Sequence, residues 1–449
     1  MAHPKLYFSV ELEFVVAWLY PGEPLIDPNE TRVFSFPPSK ALFNNTAASY
    51  GKGYLKYEDL SNRNGPMLES DRRRVMRTAF YQSLRSAFNA AGLPVRLISD
   101  EDYGLISHLL PKEDASVWGF RKEESLRLPY GTDYHWMGAE LVSPAYEFTP
   151  ENLSSVGKAC KIITTKYLAE ANDSTGLHVH VSFGVDKKWS FNSIRQALMF
   201  FWTFQPQFDS LHPNHRQGGK WAKAMRSKSK INSDHYAKTG RILTPNEGLL
   251  RIDRITDMEE LLRAVSGEGA EHPDRYMAYN VIPIFESRNS DLSIAHPKTT
   301  LEFRQHEGTL DAERVTQWIE LLCGVIMFLE NIEPAILMEL LRVVSEQEVW
   351  CRTGSKLRDP PNEEKFGPVL AESSFTITDL LEHIGLEDSA SFYRSRLYKL
   401  EPLLQIPDPK PPVSQALRDC IRNLRRTNLA SMSTESTEVK IPSTSGHEP

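Results

Sequence analysis

The opening strand-like run, "LYFSVELEFVVAW", sets Val10, Leu12 and Phe14 on one side and Glu11 and Glu13 on the other. Successive side chains alternate faces along a strand, so this pattern predicts one apolar and one acidic face. "GLHVHVSFG" repeats it with His178 and His180 opposed to Val179 and Val181. "LEFRQHEG" repeats it again, with Glu302, Arg304 and His306 on one face and Leu301 and Phe303 on the other. "WGFRKEESL", "GAELVSPAYEF" and "YMAYNVIPIF" also read as strands, and Glu140 sits on the second, whose strand ends at Pro144.

Apolar residues at three- and four-residue spacing predict helices between these strands. One runs from Asp71 and stops at Gly92, with Pro94 behind it. "TPENLSSVGKACKIITTKYLAEAND" follows with Thr149 as cap and Pro150 in the first turn. "FNSIRQALMFFWTFQPQFDSL" and "DAERVTQWIELLCGVIMFLE" are two more, the latter with Asp311 at its dipole-favoured start. Residues 334–426 are mainly helical with a Pro-rich joint at "PDPKPP", and residues 427–449, rich in Ser and Thr, are expected to be disordered. The class is therefore α+β, with a main domain over 1–333 interrupted by insertions near 21–66 and 217–275, both candidates for lids. The second insertion carries Lys220, Lys223, Arg226, Lys228 and Lys230. That cluster reads either as a solvated face or as a site for phosphates or an acidic substrate arm.

Composition narrows the choices modestly. A formal net charge of −7 over 449 residues argues against a general nucleic-acid binder. Cys160, Cys323, Cys351 and Cys420 are far apart and form no CxxC, as expected for reduced thiols in a cytoplasmic protein, with a nuclear one not excluded. Glu11 and Glu13 interrupt any signal-like apolar stretch, and "LLCGVIMFL" is too short to span a bilayer, so no membrane partner is expected. P-loop, GxGxxG and GxSxG motifs are absent.

One wet sheet face could produce any of the three polar strand patterns alone. Together they offer metal-ligand residue types where Thr, Ser or Lys would serve for solvation. Several carboxylates with imidazoles suit Mg²⁺ or Mn²⁺ better than zinc. Arg304, beside Glu302, would be placed to neutralise a phosphoryl group or oxyanion.

The ordered set "VELEF", "GAELVSP", "GLHVHVSF", "LHPNHR" and "LEFRQHEGTLD" resembles the amidoligase family found widely in fungi, over roughly residues 5–330. That family is a branch of the carboxylate-amine ligases related to glutamine synthetase and glutamate-cysteine ligase. The resemblance implies a curved antiparallel sheet of glutamine synthetase-like type, with helices on its outer face and divalent ions bridging ATP and a carboxylate substrate. It further implies that Glu11, Glu13, Glu140, His178 and Glu302 ligate metal, that His180 meets the nucleotide phosphates, and that Arg304 lies beside the transferred phosphoryl group. Arg216 in "LHPNHR" is implied as a substrate or phosphate contact. Glu124 in "EESL" departs from the pattern, since related sequences more often carry Asp before the serine.

The implied reaction is ATP-dependent amide or peptide bond formation through an acyl phosphate, with a small-molecule or peptide carboxylate and an amine as partners. Two other readings use the same face. One is a metal-dependent hydrolase, and the other is a catalytically silent metal or nucleotide binder.

Overall fold

The computed structural model describes residues 5–37, 40, 44, 56–62, 65, 67–97, 116–131, 133–184, 187–267, 274–289, 299–353, 376–397, 419–420 and 422–424. The "PDPKPP" joint, the tail expected over 427–449 and much of the 21–66 insertion lie outside them. Two compact units form: Met1–Ser190, His212–Lys228 and Ser266–Cys323 make the first, and Phe191–Leu211, Ser229–Val265 and Gly324–Pro449 the second. No helix among the described residues is long and apolar enough to cross a membrane.

Among the described residues, the first unit is built on a ten-stranded open sheet. Its strands are β1 (Tyr7–Leu19), β2 (Phe34–Ser35), β3 (Val95–Leu97), β4 (Trp118–Lys122), β5 (His135–Val142), β6 (Tyr146–Glu147), β7 (Ala169–Glu170), β8 (Gly176–Ser182), β9 (Tyr279–Asn280) and β10 (Leu301–Glu307). The main path runs β3-β4-β5-β1-β8-β10-β9, with β2, β6 and β7 pairing along β1. The sheet is mixed, which corrects the wholly antiparallel expectation: β3 runs parallel to β4, and β2 to β1. The strands that carry the site, β5, β1, β8 and β10, are antiparallel neighbours.

The apolar faces are buried as the alternation predicts. Leu12, Phe14, Val179, Val181, Leu301 and Phe303 are at most 1% exposed. The helix Glu69–Ala90 lays Phe88 edge-on against Trp118 and Phe120 and stacks Tyr81 on Phe120, which places it over β4. Thr149 caps the helix Pro150–Lys166 by accepting the Asn152 N–H at 3.4 Å. That helix stops earlier than its apolar spacing suggests, because the chain returns to pair as β7 with β1. "YMAYNVIPIF" supplies only the two residues of β9 before turning into the helix Ile282–Asn289.

The second unit contains the helix expected from "FNSIRQALMFFWT", observed as Phe191–Thr203. Residues Lys230–Thr239, Pro245–Arg254 and Met258–Val265 are also helical, although the stretch reads as merely polar. A capping box joins Thr244 and Glu247, and buried Leu249, Ile252, Leu261 and Leu262 form the inward stripes. Gly248 is required there, since a Cβ would lie 1.8 Å from Trp202 Cζ2. Helices Pro334–Thr353, Ile377–His383 and Glu387–Tyr393 follow. Cys160, Cys323 and Cys420 are free and buried; burial pushes the Cys160 thiol up to about 12.

Candidate functional site

Strand register brings the predicted residues together. Glu11 on β1 stands opposite His178 on β8, Glu13 opposite Glu140 on β5, and His180 opposite Glu302 on β10. They line a cavity of about 540 Å³ that also reaches Arg216 and Arg304. Glu11, Glu140, His178, His180 and Glu302 are all 3–8% exposed. Burying so much ionisable material is costly unless the charges are compensated.

Two groups of three ligand types overlap at one residue. Glu11, Glu140 and His178 bring ligand atoms within 4.8 Å of one another, and so do Glu11, His180 and Glu302. Glu11 is common to both: Oε2 lies 3.3 Å from His178 Nδ1, and Oε1 lies 3.2 Å from His180 Nε2. The second approach lacks hydrogen-bond geometry, so the buried His180 Nε2 has no hydrogen-bond partner. Its other nitrogen, Nδ1, is fixed by Thr300 Oγ1 at 2.8 Å. One nitrogen anchored and the other turned toward carboxylates is how an imidazole is prepared to ligate a metal. These donors fit Mg²⁺ or Mn²⁺.

Glu13 behaves differently from its neighbour. It falls in neither group; its Oε2 accepts the Gly176 N–H at 2.6 Å, and its Oε1 is 3.9 Å from His178 Nε2. Burial raises its carboxyl above the ordinary value, against the pull of His178 and with the help of nearby Glu123. Gly176 leaves little room for a side chain, because a Cβ would stand 2.8 Å from His178 Nε2 and 3.0 Å from Arg216 Nη2.

Arg304 Nη1 pairs with Glu302 Oε1, whose other oxygen accepts Asn280 Nδ2 at 2.7 Å. Burial alone would push the Glu302 carboxyl up, but the charges of His180 and Arg304 outweigh it and hold the group below its ordinary value. Burial likewise works against the Arg304 charge, and the carboxylates of Glu302 and Glu11 overcome it.

His306 does not join this face, contrary to its spacing. Phe303 pairs with Val179, yet His306 and not Gln305 pairs with Leu177, so a β-bulge adds one residue. The extra residue turns His306 to the apolar side. There it packs on His212 at 5.5 Å and Trp318 at 5.5 Å between ring centroids, and burial pushes its pKa down to about 4. Arg216 is buried and its guanidinium donates to the Arg304 and Gln305 carbonyls.

Several cavity residues escaped the sequence reading. Arg121 stands opposite Glu140 across β4 and β5, and Glu123 also faces the cavity. Glu124, the position singled out in "EESL", instead pairs with Lys122 and has a side chain 72% exposed. Period-two reading of "WGFRKE" would have found both Arg121 and Glu123, since Trp118 and Phe120 mark the apolar side. Trp221 and Tyr276 form an edge-to-face pair at 4.8 Å on the cavity wall. Of the basic cluster, Lys223 pairs with Asp274 at 2.5 Å, Lys230 with Asp234 at 2.7 Å, and Lys220 covers the Trp221 ring at 4.3 Å.

The open sheet thus carries a buried face of carboxylates and imidazoles whose residue types could hold a metal ion. A family model described as "Putative amidoligase enzyme" matches residues 48–326. The chain belongs to this amidoligase family, whose description points to a ligase-type enzyme. No curated protein and no solved structure matches it significantly.

Proposed function

We propose that this chain is an ATP-dependent carboxylate–amine ligase that works through an acyl phosphate. The observation that carries the reading is Glu11, shared between two ligand groups in a cavity where Arg304 is held beside Glu302. Glu11, Glu140 and His178 would hold one divalent ion, and Glu11, His180 and Glu302 a second. Such ions supply charge neutralisation to phosphate oxygens.

The chain's own groups account for the remaining steps. Arg304 offsets negative charge as a substrate carboxylate oxygen attacks the γ-phosphorus of ATP and ADP departs. Thr300 fixes the His180 ring through Nδ1, so Nε2 would meet the second ion without reorganisation. An amine then attacks the activated carbonyl, its proton passes to a nearby carboxylate, and phosphate leaves. Cavity walls such as Trp221 and Tyr276 limit water access to the acyl phosphate.

The test is release of ADP and phosphate from ATP over an array of acids and amines. Turnover that requires both partners, with one carboxylate ¹⁸O appearing in the phosphate, is expected. Water-dependent cleavage without ATP would favour the hydrolase, and metal binding without any turnover the silent binder.

A further inference from the structure

We propose that Arg216 is a positioning residue: its guanidinium clamps the bulge of β10, fixing the backbone that carries Arg304 and keeping His306 off the ligand-rich face. The inference rests on the reading of that face as the reactive one, but its structural part stands by itself. In regular register, Gln305 would pair with Leu177 after Phe303 pairs with Val179; the bulge gives that place to His306. Without the extra residue, everything beyond it would change faces. His306 would then point at the carboxylates, as simple alternation predicts.

At the bulge, the Arg304 and Gln305 carbonyls both accept from one side chain. Arg216 Nη2 donates to Arg304 O at 2.5 Å, and Arg216 Nε to Gln305 O at 3.4 Å. These are two successive carbonyls, and a planar fork of donors spans them where a lysine ammonium acts as a point. Arg216 is 4% exposed, so these two bonds lie in a low-dielectric setting. Burial lowers its pKa to about 10, opposed by the charges of Glu13 and Glu307, and the group is still a cation at neutral pH.

The same turn grips the other product of the bulge. Residues Asn214–Arg216 form a single 3-10 turn, and His212, just before it, packs its ring on His306 and, at 4.9 Å, on Trp318. "LHPNHR" therefore holds both sides of the irregularity, Arg216 at the backbone and His212 at the displaced ring. Gly176 leaves room for the guanidinium, since a Cβ would come within 3.0 Å of Nη2. In this role Arg216 acts through Arg304 and makes no contact with nucleotide.

Arg216→Lys is the decisive variant, because it keeps the charge and loses the fork; Arg216→Gly with added guanidinium provides the rescue. Three readouts are taken on the 449-residue chain: Mn²⁺ binding by electron paramagnetic resonance, Mg-ATP binding by calorimetry, and His306 ring-nitrogen resonances in ¹⁵N-histidine-labelled protein. We expect Arg216→Lys to bind Mn²⁺ within a few-fold of wild type, to bind Mg-ATP about tenfold more weakly, and to shift the His306 signals. Guanidinium should restore both in Arg216→Gly. Weaker Mg-ATP binding with unmoved His306 signals would assign Arg216 to direct nucleotide contact and overturn the clamp, as would no change in either. A wild-type chain that binds no Mg-ATP would sink the proposed function, while a shifted His306 in Arg216→Lys would still support the clamp.

Discussion

Glu11 stands directly across the β1–β8 ladder from His178, with Oε2 3.3 Å from Nδ1. Because its other oxygen faces His180 Nε2, one side chain serves both ligand groups. Glu11→Gln should therefore weaken Mn²⁺ binding by on the order of a hundredfold and remove the metal-dependent rise in Tm. Retention of one full-affinity site would show that the two groups do not depend on Glu11 in common.

Glu13 offers the matched control. Its Oε2 is committed to the Gly176 N–H, and a glutamine carbonyl at that position can accept the same bond. Glu13→Gln should leave Mn²⁺ affinity within about tenfold of wild type, the scale of an outer-shell effect. A loss as large as that of Glu11→Gln would make Glu13 a ligand after all.

At Gly176, an added methyl would press on His178 Nε2, Arg216 Nη2 and Glu13 Oε2. Overpacking of this kind costs roughly 1–3 kcal/mol. Gly176→Ala should lower denaturant stability by that amount and weaken metal binding together with it. Urea titrations with and without Mn²⁺ measure both, and an unperturbed variant would mean that the strand yields without moving the site.

The buried His306 makes stability depend on pH. Its folded pKa of about 4 lies below the ordinary 6.5, so the unfolded chain binds more protons between those values. Stability is complete above about pH 6.5 and falls as pH drops through that window, by about 3 kcal/mol at most. In His306→Phe the pH 7 to pH 5 loss should shrink, as followed by urea midpoints. An equal loss in the variant would place the acid sensitivity elsewhere.

Much of the site was legible because period-two alternation is local. Glu11, Glu140, His178, His180 and Glu302 converge once their strands pair, and each strand announced its own faces. His306 was misplaced because a bulge is decided by what holds it, here Arg216, whose guanidinium reaches carbonyls 88 and 89 residues further along the chain. Asn280 was hidden for a similar reason: only the β9–β10 register sets it opposite Glu302. The helices over Lys230–Val265 were obscured by charged outward faces, although Thr244–Glu247 and the buried Leu and Ile positions carried their signature. Parallel pairing of β3 with β4 depends on chain connections that alternation does not encode.

The proposed reaction requires that Mg-ATP bind the face built by Glu11, His178, His180 and Glu302. The most direct measurement is the thermal shift of the chain with ATP alone, Mg²⁺ alone and both, beside Glu302→Gln. At about a hundred times the dissociation constant, linkage predicts roughly 2.7 kcal/mol of stabilisation. A shift that needs both components and disappears in Glu302→Gln is the predicted result. A shift with Mg²⁺ alone that ATP does not increase, or one that survives in Glu302→Gln, would mean that Mg-ATP does not bind this face.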